Sequence, residues 1–511
     1  MLDVLPLELI DAIVRPFCGH CCQSDARIGD GEPTSAFTLP RNQEDLYTRS
    51  ASTASQRRPL LALCLTSKRL CNAMQPILYH EFMPGWGETV VKFTKYSGIF
   101  PSFARTLAHR RDLASAVRRL YIDHEVIGTT QPHDALDALR VVHATTGLTI
   151  PNDWNEDIYA PTSTFFIRGP ARADFSYLVA GQKSFNQHDV RDALLHILFL
   201  LLPNIRHVQF AGSQDCLFES IPSALRHASD VVAAPSLKSL KFNVPYPNLG
   251  AFAPGLEIAR DLINATKSIE SLTISRCLTG WLLDPHPSLT HIKSLQLDKC
   301  WLETRELSSL TDACRDLESF AYTAAGKHED FVTFDDVADG HFDGSDAVTA
   351  LKAHSRTLER LHLNLEGCRN YSDPDAHPLT SLAGFTALES LSINLEVLYH
   401  CDREATDTAL IDIMPSGIKN IRISSAVRRN TEVLIETLNT LLSAFHQQRF
   451  PHLRCVGCKA NEALIRSEID KRFIEAGIDF EWDGLTPYLQ GVLSSQLDDS
   501  PSIDYRPALN L

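Results

Sequence analysis

A chain of 511 residues exceeds what one hydrophobic core supports, so several domains or a repeat array are expected. Hydrophobic residues make up 44% and charged ones 22%, the composition of a soluble globular protein. The balance of 48 basic against 63 acidic residues gives −15, which, with no basic stripe to neutralise phosphates, excludes nucleic acid as the main partner.

The N-terminus, MLDVLPLELID, carries Asp3 where a secretory signal has its basic segment, so none is assigned. Leu5-Pro6 opens a helix, because proline's missing N–H costs nothing at the start. Leu9, Ile10, Ile13, Val14 and Phe17 follow at helical spacing as one apolar stripe. Residues 57–82 supply two more short helices. The first crowds Leu60, Leu61, Leu63 and Cys64; the second has Thr66-Ser67 as its cap and is expected to end before Pro76. Three short helices bury little apolar surface among themselves, so part of the stripe should face a partner. Leu5-Pro6, Glu8-Leu9-Ile10, Ile13, the Leu60–Leu65 run, Ser67-Lys68-Arg69-Leu70, Gln75-Pro76 and Leu78-Tyr79 together resemble the F-box family in its fungal form. The resemblance implies a small all-α module over 1–83 that docks on a Skp-type adaptor, and through it on a cullin. It places Leu5, Pro6, Leu9, Ile10, Ile13, Leu60, Leu63 and Leu65 at the adaptor.

Between the two halves, residues 18–58 are polar and cannot offset their ordering entropy by burial, so a disordered insert is expected there. The cluster Cys18-Gly19-His20-Cys21-Cys22 invites zinc, yet no second ligand pair stands at a finger-like distance. It reads as thiols at a helix end, and no metal site is assigned. The thirteen cysteines are scattered and odd in number, which suits a reducing compartment, cytosol or nucleus. The longest apolar run, 194–202, is too short to span a bilayer, so no membrane partner is expected.

From residue 100 the chain repeats a pattern of three apolar positions, L-x-x-L-x-L with substitutions. It occurs at Val117-Leu120-Ile122, Ile205-Val208-Phe210, Leu237-Leu240-Phe242, Ile269-Leu272-Ile274, Ile292-Leu295-Leu297, Leu317-Phe320-Tyr322, Leu358-Leu361-Leu363, Leu388-Leu391-Ile393, Ile418-Ile421-Ile423 and Leu453-Val456-Cys458. In each, the last two positions alternate as a half-buried strand does and the first covers the turn leading in. Helical stretches separate them, at 255–267, 305–315, 346–356 and 431–447. This alternation resembles a leucine-rich repeat solenoid. The resemblance implies an α/β horseshoe over 84–483. Cys277 and Cys300 stand where that family carries an inward Asn or Cys. Units begin 88, 32, 32, 23, 25, 41, 30, 30 and 35 residues apart, so the array is irregular, with insertions at 123–204 and 323–346. A helix is expected at 461–477, an edge strand at 478–482 and a loose tail over 484–511.

No catalytic or cofactor motif is present: no nucleophile elbow, Walker loop, Rossmann glycines or zincin helix. Cys455 and Cys458 form a C-x-x-C, but Cys458 takes an inward position on a repeat strand and reads as a small hydrophobe. The acidic stretch 328–346, with Asp330, Asp335, Asp336, Asp339, Asp343 and Asp346, fails the calcium-loop spacing and reads as a solvated loop. Residues alternating with the buried leucines point to the open face of the strands. They nominate Gln209, Lys241, Thr273, Gln296, Asp298, Arg360, His362 and Arg422 for an unknown protein substrate. The expected function is that of a non-enzymatic substrate-recognition subunit of a Skp–cullin–F-box ubiquitin ligase, without cofactor. The alternatives are a repeat scaffold with no ligase role, and an enzyme hidden in the 123–204 insertion.

Overall fold

A computed structural model describes residues 5–18, 21, 58–83, 98–123, 126, 130–147, 194–195, 197–211, 236–243, 263, 266–276, 289–325, 342–365, 377–398, 409–424 and 431–483. The chain forms two compact units, Met1–Leu237 and Lys238–Leu511. Residues 19–20 and 22–57 of the expected insert, the loop at 151–177, most of the helix at 255–267, Cys277, most of the acidic stretch and the 484–511 tail lie outside the described residues. Cys18 and Cys21, placed in the insert by their polar surroundings, are instead buried in the helical core.

The described helices at the start of the first unit include α1 (Leu7–Val14), α2 (58–66) and α3 (Lys68–Leu78). The backbone carbonyl of Pro6 accepts from the Leu9 and Ile10 amides at 3.1 Å, starting α1. Ser67 caps α3, its hydroxyl oxygen accepting from the Leu70 amide. Contrary to the expected stop, α3 runs through Pro76 to Leu78. The proline falls in the last turn, where the helix continues for only two residues and forfeits one bond, that to the carbonyl four residues back. Ile10, Val14, Leu60, Leu70, Met74 and Ile77 fill the core of these helices together with Cys18 and Cys21. The Arg69 guanidinium donates to the Leu5 carbonyl at 2.7 Å and holds the chain's entry against α3.

Beyond α3 the chain enters a two-residue strand, β1 (Glu81–Phe82), which pairs in parallel with β2 (Arg119–Asp123). The repeat pattern starts only at Val117 and does not foresee β1. Residue 83 therefore lies inside this unit: the helices lead directly into its sheet. Strand β2 pairs with β3 (His207–Ala211). Phe82 stacks on Phe103 of α4 (Ile99–His109) at 3.8 Å. Helix α5 (Arg111–Ala116) precedes β2. Helix α6 (Pro132–Thr146) ends at Gly147, whose φ of +70° suits the left-handed cap glycine favours.

Among the described residues, the second unit holds nine parallel strands paired in chain order. They are β4 (Ser239–Asn243), β5 (Ser271–Ser275), β6 (Ser294–Cys300), β7 (Ser319–Ala324), β8 (Arg360–Asn364), β9 (Ser390–Asn394), β10 (Asn420–Ser424), β11 (Cys455–Lys459) and β12 (Asp479–Asp483). Each apolar triplet of the sequence falls on one strand and the turn before it. The turn residues Ile269, Ile292, Leu317, Leu358, Leu388, Ile418 and Leu453 are all buried, as are both inward positions of every triplet. Helices between strands bury their own stripes. These include α7 (Thr304–Ala313) through Leu307 and Leu310, α8 (Gly344–Leu351) through Ala347 and Leu351, and α11 (Thr431–His446) through Leu434, Leu438 and Leu441, with the short α9 (Leu395–Leu398) and α10 (Ala409–Ile413) before it. The helix expected over 461–477 is two: α12 (Glu462–Arg466) and α13 (Ile469–Glu475). Glu468 between them takes a φ of +54°, and the resulting turn lets Leu464, Ile465, Ile469 and Phe473 all reach the interior.

Candidate functional site

Two surfaces and one buried cluster carry side chains that packing alone does not account for. The first surface is on α1 and α2. Ile10 and Leu60 are buried in the helical core and cannot face a partner, which removes them from the expected adaptor set. Leu63 and Leu5 are half-buried against that core. On the outward sides Leu65 is 89% exposed, and Leu7, Leu9, Ile13 and Leu61 lie between 47% and 55%; Pro6 is exposed with them. Ile474, at 38%, is the one other exposed large apolar side chain among the described residues. Leu9/Ile13 and Leu61/Leu65 are each four residues apart, so each helix presents an apolar row to solvent while Ile10/Val14 and Leu60 face inward. Single exposed leucines are ordinary, but rows of them on two short helices make a candidate interaction surface. Leu7 and Leu61 escaped the sequence argument. The signal was there: α1 is apolar almost all round, more than an amphipathic helix needs.

The second surface is the polar face of the second unit's sheet. Strand register lines up Lys241, Thr273, Gln296, Ala321, His362, Ser392, Arg422, Gly457 and Glu481 in one row across β4–β12. Asp298 and Arg360 stand in the flanking rows, beside Ser275 and between Ser319 and Ser390. Gln209 sits opposite Tyr121 in the first unit. Ala321, Ser392 and Gly457 were missed although they share the offset, four residues past the first apolar position, that nominated the others.

Several row residues are committed internally. The Arg422 guanidinium reaches across β11 to Glu481 at 3.1 Å and Asp483 at 3.0 Å. Gly457 makes that reach possible: a Cβ there would lie 3.0 Å from Arg422 Nε. His362 Nδ1 meets Ser392 Oγ at 2.8 Å. Burial, and then the Arg422 charge, lowers the His362 pKa to about 4, so the ring is neutral. Thr273 is buried among its neighbours. Arg360 is exposed, and Lys241, Gln296 and Asp298 are half-buried. The row's polarity thus stabilises the sheet at one end and remains presentable at the other.

The C-x-x-C thiols lie within the fold: burial pushes both Cys455 and Cys458 up to about 12, with Glu481 and Asp483 respectively adding to it. Cys300 is fully buried, as its place in the repeat implies. Asp343 and Asp346 cap α8 reciprocally, each accepting the other's amide hydrogen, at 2.9 and 3.2 Å. Those two acids of the stretch have a local structural role.

The buried cluster unites Cys18, Cys21 and His80. His80 Nδ1 lies 3.6 Å from Cys18 Sγ and 3.4 Å from Cys21 Sγ. Both cysteines are buried. Desolvation holds the imidazole's pKa below its ordinary value and pushes the Cys18 thiol up to about 12. The sequence spacing shows no second ligand pair, but the fold brings a third donor from 59 residues away.

Comparison with known families matches residues 256–481 to a leucine-rich repeat domain; no F-box domain is found. No curated protein matches the chain. The second unit thus carries a leucine-rich repeat domain, a type of module that binds proteins and is typically not catalytic. No helix among the described residues is long and apolar enough to cross a membrane.

Proposed function

We propose that this chain is a recognition subunit that joins a protein substrate to a Skp-type adaptor, and through it to a cullin ubiquitin ligase. The leucine-rich repeat domain would hold the substrate and the N-terminal helices the adaptor. One observation carries the reading: α1 and α2 fill a core with one side and leave Leu7, Leu9, Ile13, Leu61 and Leu65 exposed on the other. That division suits helices built to pack on both sides, as the resemblance of this segment to the F-box implies. No chemistry of the chain's own is required. Holding a target beside the transfer machinery raises its effective concentration.

The experiment is a binding titration of the full chain against a Skp-type adaptor, with a Leu9→Asp/Leu65→Asp variant beside it. Both positions are exposed, so the variant should fold; a carboxylate desolvated against an apolar partner costs several kcal/mol, about 2–5. Binding by the parent and its loss in the variant is the expected result. A folded parent that does not bind leaves a leucine-rich repeat scaffold without a ligase role, the reading that the match at 256–481 alone favours.

A further inference from the structure

We infer that Cys18, Cys21 and His80 form a zinc site that staples the N-terminal helices. The three donor atoms all lie within 4.8 Å of one another. Zinc bound tetrahedrally at about 2.3 Å from sulfur and about 2.05 Å from nitrogen places S and N about 3.6 Å apart. The observed separations are 3.6 and 3.4 Å. Two sulfurs and an imidazole are the donor set that selects zinc over magnesium or calcium, which take oxygen.

Chain geometry supports the site independently of distances. Cys18 directly follows the 3₁₀ turn Arg15–Phe17 that continues α1, and Cys21 comes three residues later, the spacing that lets two thiolates grip one ion. His80 leaves α3 just before β1. An ion held by all three joins Cys21 to His80 across a separation of 59 residues and closes a loop. It joins the exit of the first helix to the exit of the third. A module whose core is this small gains most from such a clip, since closing a long loop removes entropy from the unfolded chain. On binding, the two thiols surrender their protons to solvent and the neutral imidazole donates its Nδ1 lone pair. The fourth position goes to water.

This site does not rest on the adaptor reading, and its test is separate. The full chain is purified without chelator or added metal, and its zinc is measured by mass spectrometry. The metal is then stripped and replaced by cobalt. One zinc per chain is expected, with a thiolate-to-cobalt charge-transfer band and the intense visible bands of tetrahedral cobalt. Cys18→Ser/Cys21→Ser should lose the charge-transfer band and stoichiometric zinc, and His80→Gln should lose stoichiometric zinc. Cys455→Ser/Cys458→Ser should keep both. A folded parent that binds neither zinc nor cobalt overturns the site and leaves a sulfur–imidazole hydrogen-bonded cluster. Retention of the band in Cys18→Ser/Cys21→Ser overturns it as well. Should that variant fail to fold, the cobalt spectrum of the parent and the zinc content of His80→Gln decide.

Discussion

At the scale of single residues, Gly457 and Arg422 form one unit spread over three strands. Glycine at 457 leaves room for the Arg422 side chain, which a Cβ would crowd at 3.0 Å from Nε. Gly457→Val should push the guanidinium away from Glu481 and Asp483 and destabilise the second unit by about 1–3 kcal/mol. In an Arg422→Ala background most of that cost should vanish. Four unfolding curves in a double-mutant cycle measure it, and additive losses would mean that the glycine serves some other purpose. Two half-buried histidines make a second prediction. His362 is lowered to about 4 by burial and then Arg422, and His207 to about 4 by burial and then Arg119 and Arg206. The unfolded chain takes up these protons near pH 6.5 while the folded chain refuses them down to about 4. Stability is therefore full above 6.5, falls as pH drops through the window to about 4, and levels off below it with respect to these two groups. Each histidine contributes up to about 3 kcal/mol of that loss. Thermal unfolding from pH 7 to 4.5 should show a falling midpoint, and His362→Gln should flatten the slope.

At the scale of elements, the repeat strands are held by register more than by any one contact. Just before the strands, Lys238 pairs with Glu270, Lys293 with Glu318 at 2.6 Å, and Lys419 with Glu389 at 2.6 Å. These exposed pairs stabilise little, but each sets opposite charges side by side on neighbouring strands and so favours the observed register. Helix α8 depends on its start. Asp343 accepts the Asp346 amide and also the His377 amide at 2.7 Å, so it ties the helix to a later segment. Asp343→Ala should cost about 1–2 kcal/mol, while Asp343→Asn, which can still cap, should cost a fraction of that. Urea unfolding followed by far-ultraviolet dichroism distinguishes the two. Equal losses would show that the charge, and not the cap, matters.

At the scale of the whole molecule, what was legible in the sequence is what a short-range pattern can carry. Ten apolar triplets gave ten of the twelve strands among the described residues, because alternation of period two and burial of one face are local consequences of each segment's own residues. Phe480 and Trp482 announced β12 in the same way. The two-residue β1 had no room to show a period, and the break at Glu468 leaves the helical spacing of apolar residues intact on both sides. The polar row was nominated from its offset, but only the register showed that Arg422 is occupied by Glu481 and Asp483. Helix α1 reads as one apolar stripe in sequence. Only packing divided it into Ile10 and Val14 inside, and Leu9 and Ile13 outside. The same limit hid the metal donors. Cysteine spacing is local, and a histidine 59 residues away belongs to the cluster only after α1 and α3 have packed. By itself the sequence determined the kind of element and its buried side, since those follow from periodicity and propensity within a few residues. Only the tertiary structure decided which exposed apolar rows remain uncovered and which distant donors meet, because both are properties of surfaces brought together by the fold.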